Sequence, residues 1–150
     1  MFSQIPLAVL ISYHKINTGD QDPVRTRPYL LSPAKRRTLN QQIDEMLTQG
    51  IIRESHSSWR SSPVLVPKSS TAEFRFAIDF RKLNRISETE IYPLPKIENI
   101  FNSLHGAKVF TKLDLKAAFW QSMIDPNDCQ KTAFAIEGRE RFEFVRLPLV

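Results

Sequence analysis

Residues 110–119 read FTKLDLKAAF, and the fold turns on how they are taken. The apolar run holds one carboxylate, Asp114, between Leu113 and Leu115, and predicts a strand over Val109–Leu115 that opens into a helix over Lys116–Gln121. Asp114 would then stand at a strand-to-helix junction. A charge buried between two leucines is costly unless it meets a cation or hydrogen-bond donors. A divalent metal answers that need, because magnesium takes one or two carboxylates together with water and substrate phosphates. Capping the first amides of the following helix answers it equally well. Spacing alone leaves both open. Phe119, about a turn and a half further on, is either a wall beside such a metal or an ordinary core aromatic.

Working outward, YPLPKIENIFNSLHGA (92–107) places Ile97, Ile100, Phe101 and Leu104 at helical spacing before Gly106. On the other side, KTAFAIEGRERFEFVRLP (131–148) predicts two strands about a turn near Gly138. Ser32 and Pro33 supply an N-cap and a first-turn proline for a helix whose apolar face is Leu39, Ile43, Met46 and Leu47, ended by Gly50. Val64–Val66, stopped by Pro67, and the alternating run FRFAIDFR (74–81) predict a hairpin joined by KSSTAE. Its apolar face is Phe74, Phe76, Ile78 and Phe80, and its polar face is Arg75, Asp79 and Arg81. Residues 14–33, with three prolines, a glycine and no period, predict an extended arm.

The chain of 150 residues is 41% apolar and 10% aromatic, enough for one folded unit with a core. Its 21 Lys and Arg against 16 Asp and Glu, a net charge of +5, permit an anionic partner without requiring one. A single cysteine, Cys129, excludes an internal disulfide and suits a reducing compartment. Three histidines far apart, His14, His56 and His105, form no zinc pattern. The apolar run Ile5–Ile11 is too short to cross a bilayer.

A polyphosphate needs several fixed cations, and Lys68, Arg75 and Arg81 fall together on the hairpin. With Asp79 between them, one arginine can pair with the acid while the other holds an external anion. A solvated strand face laced with ion pairs has the same composition. Trp59 and Trp120 can stack on a base or simply anchor packing, and Cys129 and the histidines carry no chemistry by position.

Taken in order, HKINTGD, RPYLLSP, IDEMLTQGIIRES, SSPVLVPKSSTAEFRFAIDFRKLN, YPLPKIENIFNSLHGAKVFTKLDLKAAFWQ and KTAFAIEGRERFEFVRLP resemble successive segments of the reverse transcriptase of gypsy-class long-terminal-repeat retrotransposons. The resemblance runs from about residue 14 to the end of the sequence. It implies an α+β fold, a partial right-hand polymerase with fingers plus an incomplete palm: an arm over 1–23, fingers over 24–92 and palm over 93–150. Asp114 matches the metal-binding aspartate of the first palm motif, and Leu115 would give a backbone carbonyl to the same ion, Mg2+. Lys68 and Arg75 match residues that close on the incoming nucleotide's phosphates. Phe119 matches the aromatic that crowds the sugar 2′ position and favours deoxynucleotides, while Asp79 and Arg81 belong to the fingers surface near the template.

The partners implied are an RNA or DNA template-primer, a deoxynucleoside triphosphate and the remainder of a polyprotein, without a membrane and in the cytoplasm or nucleus. The implied chemistry, two-metal phosphoryl transfer, requires further carboxylates. The family draws these from a Y-x-D-D hairpin, and no two aspartates are adjacent in this sequence. The expectation is therefore a chain inactive alone, part of a polymerase. The alternative is a vestigial domain that only binds nucleic acid or protein. Asp125 and Asp128 are not expected to replace the missing acids. With central palm partners lacking, AFAI (133–136) and FEFV (142–145) are expected to present open edges, and the isolated chain to be poorly soluble.

Overall fold

Helix α1, Pro33–Thr48, forms where the apolar spacing places it, with the Ser32 hydroxyl accepting from the Lys35 amide at 3.5 Å and proline in the first turn. Leu39, Ile43 and Met46 make its buried stripe. It ends in a Schellman arrangement: the Ile51 amide donates to the Met46 carbonyl at 2.9 Å and the Gly50 amide to the Leu47 carbonyl at 3.0 Å. This requires the left-handed backbone that Gly50 adopts at φ +62°. The computed structural model describes residues 9–67, 74–88, 93–115 and 117–148, with the side chains of 9–12 left aside.

Two further helices are α2, Arg81–Ile86, and α3, Ile97–Ser103. The strands among the described residues are, in chain order, β1 Val9–His14, β2 Ile52–Glu54, β3 Ser62–Pro67, β4 Phe74–Asp79, β5 Ser122–Ile124, β6 Phe134–Ala135 and β7 Arg141–Phe144. The predicted hairpin is present as antiparallel β3–β4, with Ser62 opposite Asp79 and Pro67 opposite Phe74. Its second strand stops at Asp79 rather than alternating through Arg81. The chain turns at buried Phe80 and enters α2, which buries Leu83.

The predicted pair about Gly138 is also present as antiparallel β6–β7. β2 covers the far side of β7, giving the order β2-β7-β6. FEFV is thus central over Phe142–Phe144, not an open edge, because Ile52–Glu54 supplies a strand that the sequence pattern did not separate from the end of α1. The AFAI side is met by Ser61, whose amide donates to the Ala133 carbonyl at 2.8 Å and which bridges to Phe134. The hairpin and the three-stranded sheet are thereby joined, and their aromatic faces close the core. Phe134, fully buried, lies 5.6 Å from the Phe76 ring, 5.5 Å from Phe144 and 5.9 Å from Phe142.

Residues 9–16 of the arm are held by pairing. β1 runs parallel to β5, the Ile16 amide donates to an Asp128 carboxylate oxygen at 2.9 Å, and Lys131 Nζ donates to the Ile16 carbonyl at 2.6 Å. Asp128 also pairs with Lys131 at 2.8 Å, so its carboxylate is committed to holding the arm.

The strand expected over Val109–Leu115 is not formed. Residues 107–115 carry no regular structure, and Val109, Phe110, Leu113 and Leu115 are exposed. No described strand lies beside them, and an unaccompanied strand leaves its backbone groups to water. The helix expected next is a single 3-10 turn, Ala118–Gln121, entered through Ala117 at φ 50°. Helix α3 forms as expected, yet Ile97, Ile100, Phe101 and Leu104 on its apolar face remain exposed.

Candidate functional site

The cationic strand β4 is the best-defined part of the predicted site. Its burial alternates, with Arg75 exposed and Ile78 buried, so Arg75 projects from the outer face. Among the described residues Arg75 has no ion pair. Asp79 and Arg81 are instead spent on each other: Arg81 Nε donates to Oδ1 at 2.8 Å, Nη2 to Oδ2 at 2.7 Å, and the Arg81 amide to Oδ1 at 3.2 Å. The Tyr29 hydroxyl donates to Oδ2 at 2.9 Å. The Arg81 hydrogen bonds, with Tyr29 adding to them against the cost of burial, hold the Asp79 carboxyl far below its usual range. Asp79 raises the Arg81 guanidinium in return. Of the two arginines, Arg81 takes the acid. Lys68 lies outside the described residues.

Arg75 also lines a cavity of about 420 Å³ between α1, β4 and the 3-10 turn, with Gln42, Met46, Phe74, Phe76 and Trp120 among its walls. Phe119, next to Trp120, is half exposed. The structure therefore brings the Arg75 strand and the Phe119–Trp120 turn to one region. Two side chains that contact β4, Gln42 at Phe74 and Tyr29 at Asp79, were not singled out by the sequence. Gln42 lies on the polar side of an amphipathic helix and Tyr29 in an arm without period, so neither carries a local signal.

Asp114 and Leu115 lie on the exposed irregular segment, and Asp114 has no hydrogen bond or ion pair to another described residue. Magnesium is held by several oxygens at once. Among the described residues no group of three or more His, Cys, Asp or Glu side chains is placed to hold a metal. Asp114 can supply one carboxylate, and the described residues do not by themselves form the ion site. Asp125 accepts from the Asn127 amide at 3.0 Å within its own turn, and Asp128 is engaged with the arm, so neither acts as a substitute. Cys129 is buried, and burial pushes its thiol up. Trp59 is a buried anchor. Among the described residues no helix is long and apolar enough to cross a membrane.

Comparison with known proteins extends the picture. The family model described as reverse transcriptase (RNA-dependent DNA polymerase) matches residues 66–149. The retrovirus-related Pol polyprotein from transposon opus of Drosophila melanogaster is 38% identical over 139 residues, 89% of this chain and 14% of that protein. The Pol polyprotein from transposon gypsy of the same organism is 38% identical over 138 residues, 89% of this chain and 13% of its own length. Among solved structures, a prototype foamy virus protease-reverse transcriptase mutant superposes with TM-score 0.79 at 28% identity, over 97% of this chain and 19% of that one. A foamy viral protease-reverse transcriptase in complex with RNA/DNA hybrid gives TM-score 0.69 at 25% identity, again over 97% of this chain and 19% of that one. The chain thus spans a small part of the length of the proteins it matches.

Proposed function

Since the chain belongs to the reverse transcriptase (RNA-dependent DNA polymerase) family, we propose that it forms the fingers and the beginning of the palm of a retrotransposon polymerase. On this reading residues 24–92 are fingers, 93–150 begin the palm, and 1–23 are an arm. The partners are a template-primer and a deoxynucleoside triphosphate, and the reaction is addition of a nucleotide to a primer 3′ end in the cytoplasm or nucleus. The observation that carries it is the family match over 66–149, which includes both the Arg75 strand and the Asp114 segment.

Within that reaction Arg75, with Lys68, meets the nucleotide's phosphates through charge-assisted hydrogen bonds. Phe119 borders the sugar, and Asp79 with Arg81 forms a fixed surface beside the template. Asp114 and the Leu115 carbonyl contribute to a Mg2+ site whose other carboxylates lie outside this sequence, and the ion supplies charge stabilisation at the transferring phosphate. Asp114→Asn in the full polymerase that contains this chain is the test. Primer extension falls to background while template-primer affinity stays within a factor of two or so; retained extension refutes the assignment.

The lack of a second acid at Asp114 among the described residues favours a second reading, a domain that binds without catalysis. It predicts no primer extension from any polypeptide that includes this chain.

A further inference from the structure

We infer that Gln42 is a positioning residue for Arg75, holding the start of β4 so that the guanidinium is presented to the phosphates of an incoming nucleotide. The inference rests on the reading of Arg75 as a phosphate contact and adds to it a residue from a different element, sixteen-residue helix α1.

At the end of the β3–β4 ladder Pro67 stands opposite Phe74. The Phe74 carbonyl, one peptide before Arg75, accepts from outside the hairpin, where Gln42 Nε2 donates to it at 2.9 Å. The Phe74 ring is gripped as well, with Lys35 Nζ 5.4 Å from its centroid. Both contacts come from one face of α1, and that helix is anchored by fully buried Leu39 and Ile43. The strand end bearing Arg75 is thus fixed to the core through two side chains.

The second observation is a cost. Gln42 Oε1 is buried and has no hydrogen-bond partner among the described residues. An apolar side chain of similar size would remove that unsatisfied acceptor and leave the Phe74 carbonyl without its donor, so in stability alone the two roughly cancel. What glutamine provides that leucine cannot is the donor to Phe74. Gln42 and Arg75 also line the same cavity of about 420 Å³.

The test is steady-state primer extension by the full polymerase containing this chain, with Gln42→Leu, Arg75→Ala and the double variant, each also followed by thermal melting. Gln42→Leu is expected to raise KM for the nucleotide about tenfold, the worth of one hydrogen bond acting on binding, with kcat little changed. Its melting temperature should change little, the lost donor to Phe74 offsetting the removed unsatisfied acceptor, and a raised KM without a fall in kcat is what separates positioning from a loss of fold. Acting through Arg75, it should add nothing to Arg75→Ala. An unchanged KM in Gln42→Leu beside a raised one in Arg75→Ala overturns the inference, as do additive effects in the double variant. An unchanged KM in Arg75→Ala overturns the phosphate reading itself. Should Gln42→Leu fail to fold, Gln42→Met, which keeps the side-chain length, carries the same comparison.

Discussion

The Arg81 guanidinium sits across both oxygens of Asp79, at 2.8 Å and 2.7 Å, immediately where β4 turns into α2. The pair spans one residue, buried Phe80, and so fixes the corner at which the strand stops.

That geometry sets a pH dependence. The Asp79 carboxyl titrates far below its ordinary 3.8 because Arg81 and Tyr29 stabilise the charged form. A carboxylate depressed on folding contributes stability that is complete above the ordinary value and lost as pH falls below it toward the folded value. Urea denaturation from pH 7 down to pH 2 should show the gap between the parent and Asp79→Asn narrowing below pH 4. A gap constant across that range would contradict the assignment.

Phe134 is the centre of the aromatic cluster, in ring contact with Phe76, Phe142 and Phe144. Phe134→Ala opens a cavity where hairpin and sheet meet and should cost about 3–5 kcal/mol. The measurement is the shift of the denaturation midpoint, with the slope unchanged.

Arg75 should reveal itself through the nucleotide. Arg75→Ala is expected to weaken binding of a deoxynucleoside triphosphate to the full polymerase about tenfold, the worth of one charge-assisted hydrogen bond, while template-primer affinity and its salt slope stay as in the parent. Arg81→Ala, which removes a guanidinium already paired with Asp79, should change nucleotide affinity less. Nucleotide titration of the polymerase bound to a template-primer reads both, and equal nucleotide affinities in the parent and Arg75→Ala would remove Arg75 from the phosphate contacts.

Leu94, Ile97, Phe101, Val109, Phe110 and Leu113 are all at least two-thirds exposed, in a stretch of twenty residues. Large apolar side chains exposed at this density along one segment favour association in water. Sedimentation velocity of the isolated chain should show self-association rising with concentration, reduced by the double variant Phe101→Lys, Leu113→Lys. A monomer at every concentration would mean that the stretch is covered in solution.

The same stretch shows where sequence reading stops. Helix α1 was legible to the residue because its cap, apolar period and terminal glycine are all local. The hairpins were legible because alternation and Gly138 are local too. The segment 107–115 has the alternation of a strand, but a strand exists only with a neighbour, and no local pattern tells whether one is present. β2 was missed for the opposite reason: three residues after a helix become a strand only because β7 lies alongside. At the candidate site, Arg75 and Asp79 could be read from the alternating run, and which arginine takes the acid depended on the turn at Phe80. Gln42 and Tyr29 enter through contacts 32 and 50 residues away in sequence, beyond any motif.

The parallel pairing of β1 with β5, and the bond from Ile16 to Asp128 across 112 residues, have a consequence in time. β1 is synthesised about a hundred residues ahead of its partner strand. At about 5–20 residues per second the arm waits several seconds in solvent before β5 and Asp128 exist. Contacts so distant close late and slowly, after the hairpins and α1 have formed. The growing chain therefore passes through a stage in which the hairpin is folded and the arm still loose, and a chaperone that holds extended segments would find its window there.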